Sequence, residues 1–370
     1  MSLFAAGASV ALLLAAAPAP DAVVAPATGP GVYDFELRRV AEGVYVAVRP
    51  DVFRQPVEGN LTFIVNQADV FVVDAGGTQA SAESAIKLLR SVTEKPVRYL
   101  VNTHWHGDHN LGNPAWLEAY PGVEILAHPN TIAAMTPANI DLENLPKQLT
   151  ETMDALRKGI ATGKDEQGQP LPADRLERWK KMLPDLETSL RESRRTTVVL
   201  PTLSVADALV LRRGEREIHV RHLGRGNTEG DLVVWLPKER VAISGDLVVN
   251  PQPYGFGSFP TEWIQTLEKL AALDYAYLIP GHGEVQRDTA YIRHLQALIG
   301  RVRDQAAAAV KGGATLAEVR ERLDLGELEN VFTAGDARRK FLLKAWFLDP
   351  FSISAVKEAK GEPIVQGQRE

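Results

Sequence analysis

Val97-Arg98-Tyr99-Leu100-Val101 runs directly into Asn102-Thr103-His104-Trp105-His106-Gly107-Asp108-His109. The first five residues are mostly apolar, β-branched or aromatic, and read as a buried strand. The polar turn that follows places four metal-competent side chains within six residues: His104, His106, Asp108 and His109. Alternate residues of a turn project to one side. His104 and His106 are therefore able to share one ion while Asp108 and His109 reach another. Imidazole with carboxylate suits zinc, iron or manganese. The chain has no cysteine, which excludes a disulfide framework, a thiolate nucleophile, an iron–sulfur cluster and Cys-ligated zinc.

Three more segments repeat this strand-then-polar-turn form. Gly224-Arg225-Gly226-Asn227-Thr228-Glu229-Gly230-Asp231 follows the expected strand Val220 to Leu223, Ser244-Gly245-Asp246 follows Val241–Ile243, and Pro280-Gly281-His282-Gly283 follows Leu278-Ile279. Strand C-termini converging on one edge are where α/β sites form. Upstream, Val44–Val48, Leu61–Val65 and residues 70–74 read as strands, and 81–92 as a helix with Ala85, Leu88 and Leu89 on one face. Downstream, strands are expected at 208–211, 217–223 and 232–236, with Arg213-Gly214-Glu215 as a hairpin turn. Strands alternating with helices make the chain α/β.

On these motifs, with Asp74 in Val72-Val73-Asp74-Ala75-Gly76, residues 44–284, apart from a charged hairpin within them, resemble the metallo-β-lactamase superfamily. The resemblance implies an αββα sandwich with a metal site at one edge of its two sheets. It implies one metal on His104, His106 and a third residue, a second on Asp108, His109 and His282, Asp246 bridging the two, and Asp74 buttressing the histidine loop. The family's usual third histidine of the first site is replaced by Asn227. A carboxamide oxygen is a weaker and harder ligand, so one or two zinc ions per chain are compatible with the pattern, with iron or manganese as alternatives. His219 and His222 lie three apart on a strand and face opposite sides, so neither reads as the replacement; His128 and His294 read as structural or surface residues. The implied activity is hydrolysis of a small ester or amide (a β-lactam, a lactone or a related compound) by a metal-activated hydroxide, with Asp108 and Asp246 orienting the nucleophile. Tyr254, in the aromatic, Gly/Pro-rich stretch 250–259, is a candidate contact to substrate or oxyanion. Two rival readings are a metal-binding protein without turnover and an iron-dependent dioxygenase.

The chain of 370 residues is 45% apolar and 24% charged, a globular composition. Its net charge of −6 and lack of a basic patch disfavour a nucleic-acid partner. Residues 3–19 are Ala/Leu-rich, too short and too broken by proline to span a membrane, and read as the apolar part of a signal peptide within a leader at 1–27. This points to a periplasmic or secreted protein, with residues 20–30 disordered. The fold domain is expected at 31–290. Within it, 138–197 reads as an inserted two-helix hairpin, because residues 141–196 carry eleven acidic and eleven basic side chains around apolar positions spaced three and four apart. Pro184 is expected to kink or restart its second helix. Residues 291–370 form a helical extension, interrupted at Pro350, whose apolar cluster around Phe341 to Phe351 either packs on the domain or forms a homodimer interface.

Overall fold

The computed structural model describes residues 22–26, 31–165 and 167–367. Eight strands form the first sheet in sequential order: β1 (Ala22–Ala25), β2 (Glu36–Ala41), β3 (Val44–Val48), β4 (Leu61–Val65), β5 (Val70–Val73), β6 (Val97–Val101), β7 (Glu124–Ala127) and β8 (Leu203–Ser204). Pairing is antiparallel through β5 and parallel from β5 to β8. The second sheet runs β13 (Tyr277–Ile279), β12 (Val241–Ile243), β11 (Leu232–Leu236), β10 (Arg216–His222) and β9 (Ala208–Arg213), with only the β12–β13 pair parallel. The β9–β10 turn is the expected tight hairpin, with Gly214 at φ 67°.

The period-2 alternation of the strands builds three apolar layers. On β5, Val70 and Val72 face outward onto the helix Gln79–Arg90, whereas Phe71 and Val73 face inward. Both faces are covered, so the whole strand is buried. The inner layer joins the sheets through Val46, Ile64 and Val101 on one side and Val220, Val234 and Ile279 on the other. The second sheet's outer face packs on the helices Pro260–Ala271, Ala290–Lys311 and Asp349–Lys360 through Trp263, Leu267, Leu295, Ile299 and Phe351. The result is an αββα sandwich. The C-terminal aromatic cluster packs on it: Phe347 and Phe351 are buried, and Phe341 is exposed.

Three expectations need correction. Most of the leader lies outside the described residues, but Ala22–Ala25 is an edge strand paired with β2, not a disordered segment. Val23 and Val24 are β-branched, and the backbone of β2 supplies a ladder for them. Pro184 does not restart its helix, which runs unbroken over Ala173–Ser193. Lys180, whose carbonyl a proline four residues later leaves without an intrahelical donor, is exposed to water. Pro350 does not interrupt the C-terminal helix either. The helical path continues through a π-turn at Lys344–Leu348 and places Pro350 in the first turn of Asp349–Lys360.

The charged stretch is two packed helices, Leu145–Thr162 and Ala173–Ser193, around Met153, Leu156 and Leu186. Arg54 ties the second helix to the loop before β4 by a two-point ion pair with Asp185, at 2.7 and 2.9 Å.

Candidate metal centre

Each chemical side chain sits just past a strand of the two-sheet edge. Asp74 follows β5 in the left-handed region, at φ 64°. The histidine loop follows β6 and winds into a single helical turn, Gly107–Asn110, that carries Asp108 and His109. Asp246 lies in a 3₁₀ turn after β12, and His282 lies after β13. Asn227 lies in the turn between β10 and β11.

Asp74 holds the loop. Its carboxylate accepts from the Thr103 N–H (2.8 Å), the Thr103 hydroxyl (2.9 Å) and His109 Nδ1 (2.8 Å). With its proton donated to Asp74, the Thr103 hydroxyl is free to accept from His104 Nδ1, 3.0 Å away. The network thereby assigns the Nδ1–H tautomer to both histidines and leaves both Nε2 lone pairs bare. Asn110 staples the turn by donating to the carbonyls of Trp105 and His106.

Those bare nitrogens point at one another and at carboxylates. His109 Nε2 lies 3.1 Å from His282 Nε2, 3.2 Å from Asp246 Oδ1 and 3.5 Å from Asp108 Oδ2. His282 Nε2 lies 3.1 Å from Asp108 Oδ2 and 3.4 Å from Asp246 Oδ1. A tetrahedron with metal–ligand bonds of about 2.0–2.1 Å has edges of about 3.3–3.4 Å. Five of its six edges are present here. A second cluster adjoins it: His104 Nε2 is 3.0 Å from His106 Nδ1 and 3.6 Å from Asp246 Oδ2. The two oxygens of Asp246 thus face different clusters, and both are buried with no hydrogen-bond donor among the described residues. A bare buried carboxylate calls for a cation.

Electrostatics agree. Burial pushes the Asp246 carboxyl up, but His282, His109 and His104 hold it well below the usual carboxylate range. Burial pushes His282 down, yet Asp246 and Asp108 lift it to about 9. His109 is likewise held above its ordinary value by Asp246, Asp108 and Asp74 against its burial. His104 is pushed well below by burial, with His109 adding to the effect. The carboxylates demand positive charge at the positions where a metal would sit. The donor set of imidazole nitrogen and carboxylate oxygen fits zinc, iron or manganese.

Asn227 is fully buried. Its Nδ2 donates to the Tyr254 carbonyl at 3.0 Å, and its Oδ1 has no partner among the described residues. Tyr254 packs its ring edge-on against His282, with centroids 5.1 Å apart. Trp105 packs with Ala134 and Met135, and its indole N–H donates to Gln366. His128 and His222 stack on each other, His219 faces Glu217, and His294 is exposed; none of the four joins a ligand cluster.

Sequence reading missed the cradle beneath the site. Asn60 donates to the carbonyls of Pro280 and Gly283, and its own N–H bonds the Gly281 carbonyl. It thereby clamps the turn that carries His282. A Cβ on Gly281 would fall on Asp246 Oδ1, and one on Gly59 would meet the His109 ring. These two glycines let backbone pass beside ligand side chains. Nothing near Glu58-Gly59-Asn60 in the sequence signals this.

Comparison with known proteins follows the same lines. The sequence model of the metallo-β-lactamase superfamily matches residues 54–282. A linear primary-alkylsulfatase of Pseudomonas sp. (strain ATCC 19151) is 22% identical over 274 residues, covering 69% of this chain and 48% of that protein. A metallo-β-lactamase type 2 of Bacteroides fragilis is 27% identical over 108 residues, covering 28% of this chain and 43% of that protein. The chain thus spans about half the length of the curated relatives it matches. Among solved structures, a stereoselective inverting sec-alkylsulfatase from Pseudomonas sp. aligns with TM-score 0.59 at 16% identity, covering 87% of this chain and 50% of that one.

Proposed function

The chain belongs to the metallo-β-lactamase superfamily, and on that premise we propose that it is a metal-dependent hydrolase of small esters or related compounds, sulfate esters and cyclic amides included. The observation that carries this reading is Asp246. One buried carboxylate presents a bare oxygen to each of two imidazole clusters. Asp108 Oδ2 and His109 and His282 Nε2 would hold one ion with Asp246 Oδ1. His104, His106 and Asp246 Oδ2 would hold another. When bound, a divalent metal supplies Lewis acidity and acidifies water near neutral pH.

The remaining work falls to the chain's own residues. The Asp108 side chain is 23% exposed, against 1% for Asp246, so it is the carboxylate that reaches the open face. It is placed to orient an attacking water and accept its proton. Asp74 keeps His109 and, through Thr103, His104 in the ligand tautomer during turnover. Tyr254 presents a buried phenol that makes no hydrogen bond among the described residues. Burial and the charges of Asp246 and Asp108 hold its pKa well above normal, so it remains a donor for developing negative charge.

Asn227 completes the His104–His106 cluster in this reading. Its amide nitrogen is anchored on the Tyr254 carbonyl, which turns a buried, unpartnered oxygen away from that bond. The wild type is expected to hold two metals per chain and Asn227→Leu one, by elemental analysis. One metal in the wild type, rising to two in Asn227→His, would show that Asn227 disables the site.

The activity is tested on metal-loaded protein with aryl acetates, aryl sulfates, lactones and a chromogenic β-lactam. Turnover of at least one class is expected, with Asp246→Ala slower by about 100-fold or more. Metal at two per chain with no turnover in any class would favour a non-catalytic metal-binding role. Export is read from the apolar segment at 3–19, and fractionation of cells making the full chain tests it.

A further inference from the structure

Aromatic rings step outward from the ligand cluster. Tyr254 stands edge-on to His282, Trp346 stands edge-on to Tyr254 with centroids 5.5 Å apart, and Phe53 lies 6.1 Å from Trp346. Beyond them, Arg338 and Arg339 both stand over the Phe53 ring, each guanidinium carbon 5.7 Å from its centroid. Arg338 also donates to the Phe53 carbonyl at 3.0 Å. Neither guanidinium is in ion-pair contact with a carboxylate among the described residues. Cations nearby are matched: Arg54 with Asp34 and Asp185, Lys340 with Glu329, Lys344 with Asp349. Two like charges over one ring repel each other, and cation–π attraction offsets this only in part. Among the described residues the fold gathers them without supplying their counter-anion.

We propose that this strip is a substrate-recognition site for a carboxylate-ended amphiphile. The apolar body lies along Tyr254, Trp346 and Phe53. The carboxylate is held by the planar forks of Arg338 and Arg339, a geometry suited to two-point hydrogen bonding. The inference rests on the hydrolytic reading of the metal centre, which receives the other end. It goes beyond that reading by naming the substrate class: esters whose acyl or alkyl chain ends in a carboxylate. Phe53 and Trp346 are half-buried and Arg338 is exposed, so the outer part of the strip is reachable from water, while Tyr254 forms its buried inner end.

The test is calorimetric binding of decanedioate and of decanoate to the metal-loaded full chain. The wild type is expected to bind the diacid about tenfold more tightly than the monoacid. Raising the salt from about 50 to 300 mM should shrink that preference, because exposed charges are screened. In the Arg338→Gln/Arg339→Gln double variant the preference should vanish while metal content stays at the wild-type level. Trp346→Leu should weaken both acids alike. Equal affinities in the wild type, or a preference that survives the double variant, would overturn the proposal. Should the double variant fold poorly, the salt dependence of the wild type decides, since a preference unmoved by salt contradicts recognition by an arginine pair that water reaches at Arg338. Initial rates on a half-ester of decanedioic acid against ethyl decanoate keep the two readings apart. Arginine-dependent diacid binding with no ester turnover would sink the hydrolase reading and leave the recognition site standing.

Discussion

At the scale of single residues, the site depends on atoms that no motif advertises. Gly281 is the sharpest case. Its missing side chain is the space that Asp246 Oδ1 occupies. A Cβ there would also stand 2.7 and 2.9 Å from the Gly245 and Asp246 backbone, so Gly281→Ala should displace the carboxylate together with its turn. We expect loss of at least one metal per chain by elemental analysis, with far-UV circular dichroism unchanged. Full metal content in the variant would mean that Asp246 relaxes elsewhere.

Asp231 makes a different case. Its buried carboxylate accepts from the Thr228 N–H and hydroxyl and shapes the turn that carries Asn227. Burial raises its pKa to about 7 despite those bonds. Below about pH 4 both the folded and unfolded chains hold this proton; between there and about 7 only the folded chain does. Its contribution to stability therefore falls as pH rises through that window. Asp231→Asn, which does not titrate, should lose more stability at pH 5 than at pH 8, measured as the difference in urea midpoint from wild type. A pH-independent difference would remove the carboxyl from this account.

At the scale of elements, the strands that aim the ligands are legible because each is a short apolar run ended by polar turn residues. Val97–Val101, Val241–Ile243 and Tyr277–Ile279 all stand where the pattern puts them. The C-terminal helix was less legible. Proline reads locally as a stop, but a helix end is decided by whether the orphaned carbonyl finds another donor. In an α-helix the N–H of residue 350 would bond the Trp346 carbonyl. Proline has none, and that carbonyl accepts instead from the Gly255 N–H at 2.9 Å. The π-turn thus ties the last helix to the aromatic loop beside His282. Pro350→Ala restores an internal donor and should release Gly255. Amide exchange at Gly255 is expected to quicken by about tenfold or more while the helix Ala290–Lys311 keeps its protection. Unchanged exchange at Gly255 would show that the loop holds itself.

At the scale of the molecule, the site is assembled from both sheets, so a bound metal would be linked to the fold. Asp74 and the histidine loop come from the first sheet, and Asp246 and His282 from the second. Chelation should leave Asp108 and Asp246 close together without a cation and lower the melting temperature, by on the order of 5 °C for a metal present at 100 times its Kd. An unshifted melting temperature on metal removal would mean that protons on the histidines compensate fully.

By itself the sequence determined the α/β alternation, the family resemblance and the residues that meet at the sheet edge. Those are local properties: side-chain period, turn chemistry and ligand types at close spacing. Only the tertiary structure decided how the ligands are held and what surrounds them. The Asp74–Thr103–His104 relay, the Asn60 clamp, the space at Gly281 and the two arginines over Phe53 all join residues far apart in the chain. Their meeting depends on how two sheets and a C-terminal helix pack, and long-range packing leaves no periodic trace in a single sequence.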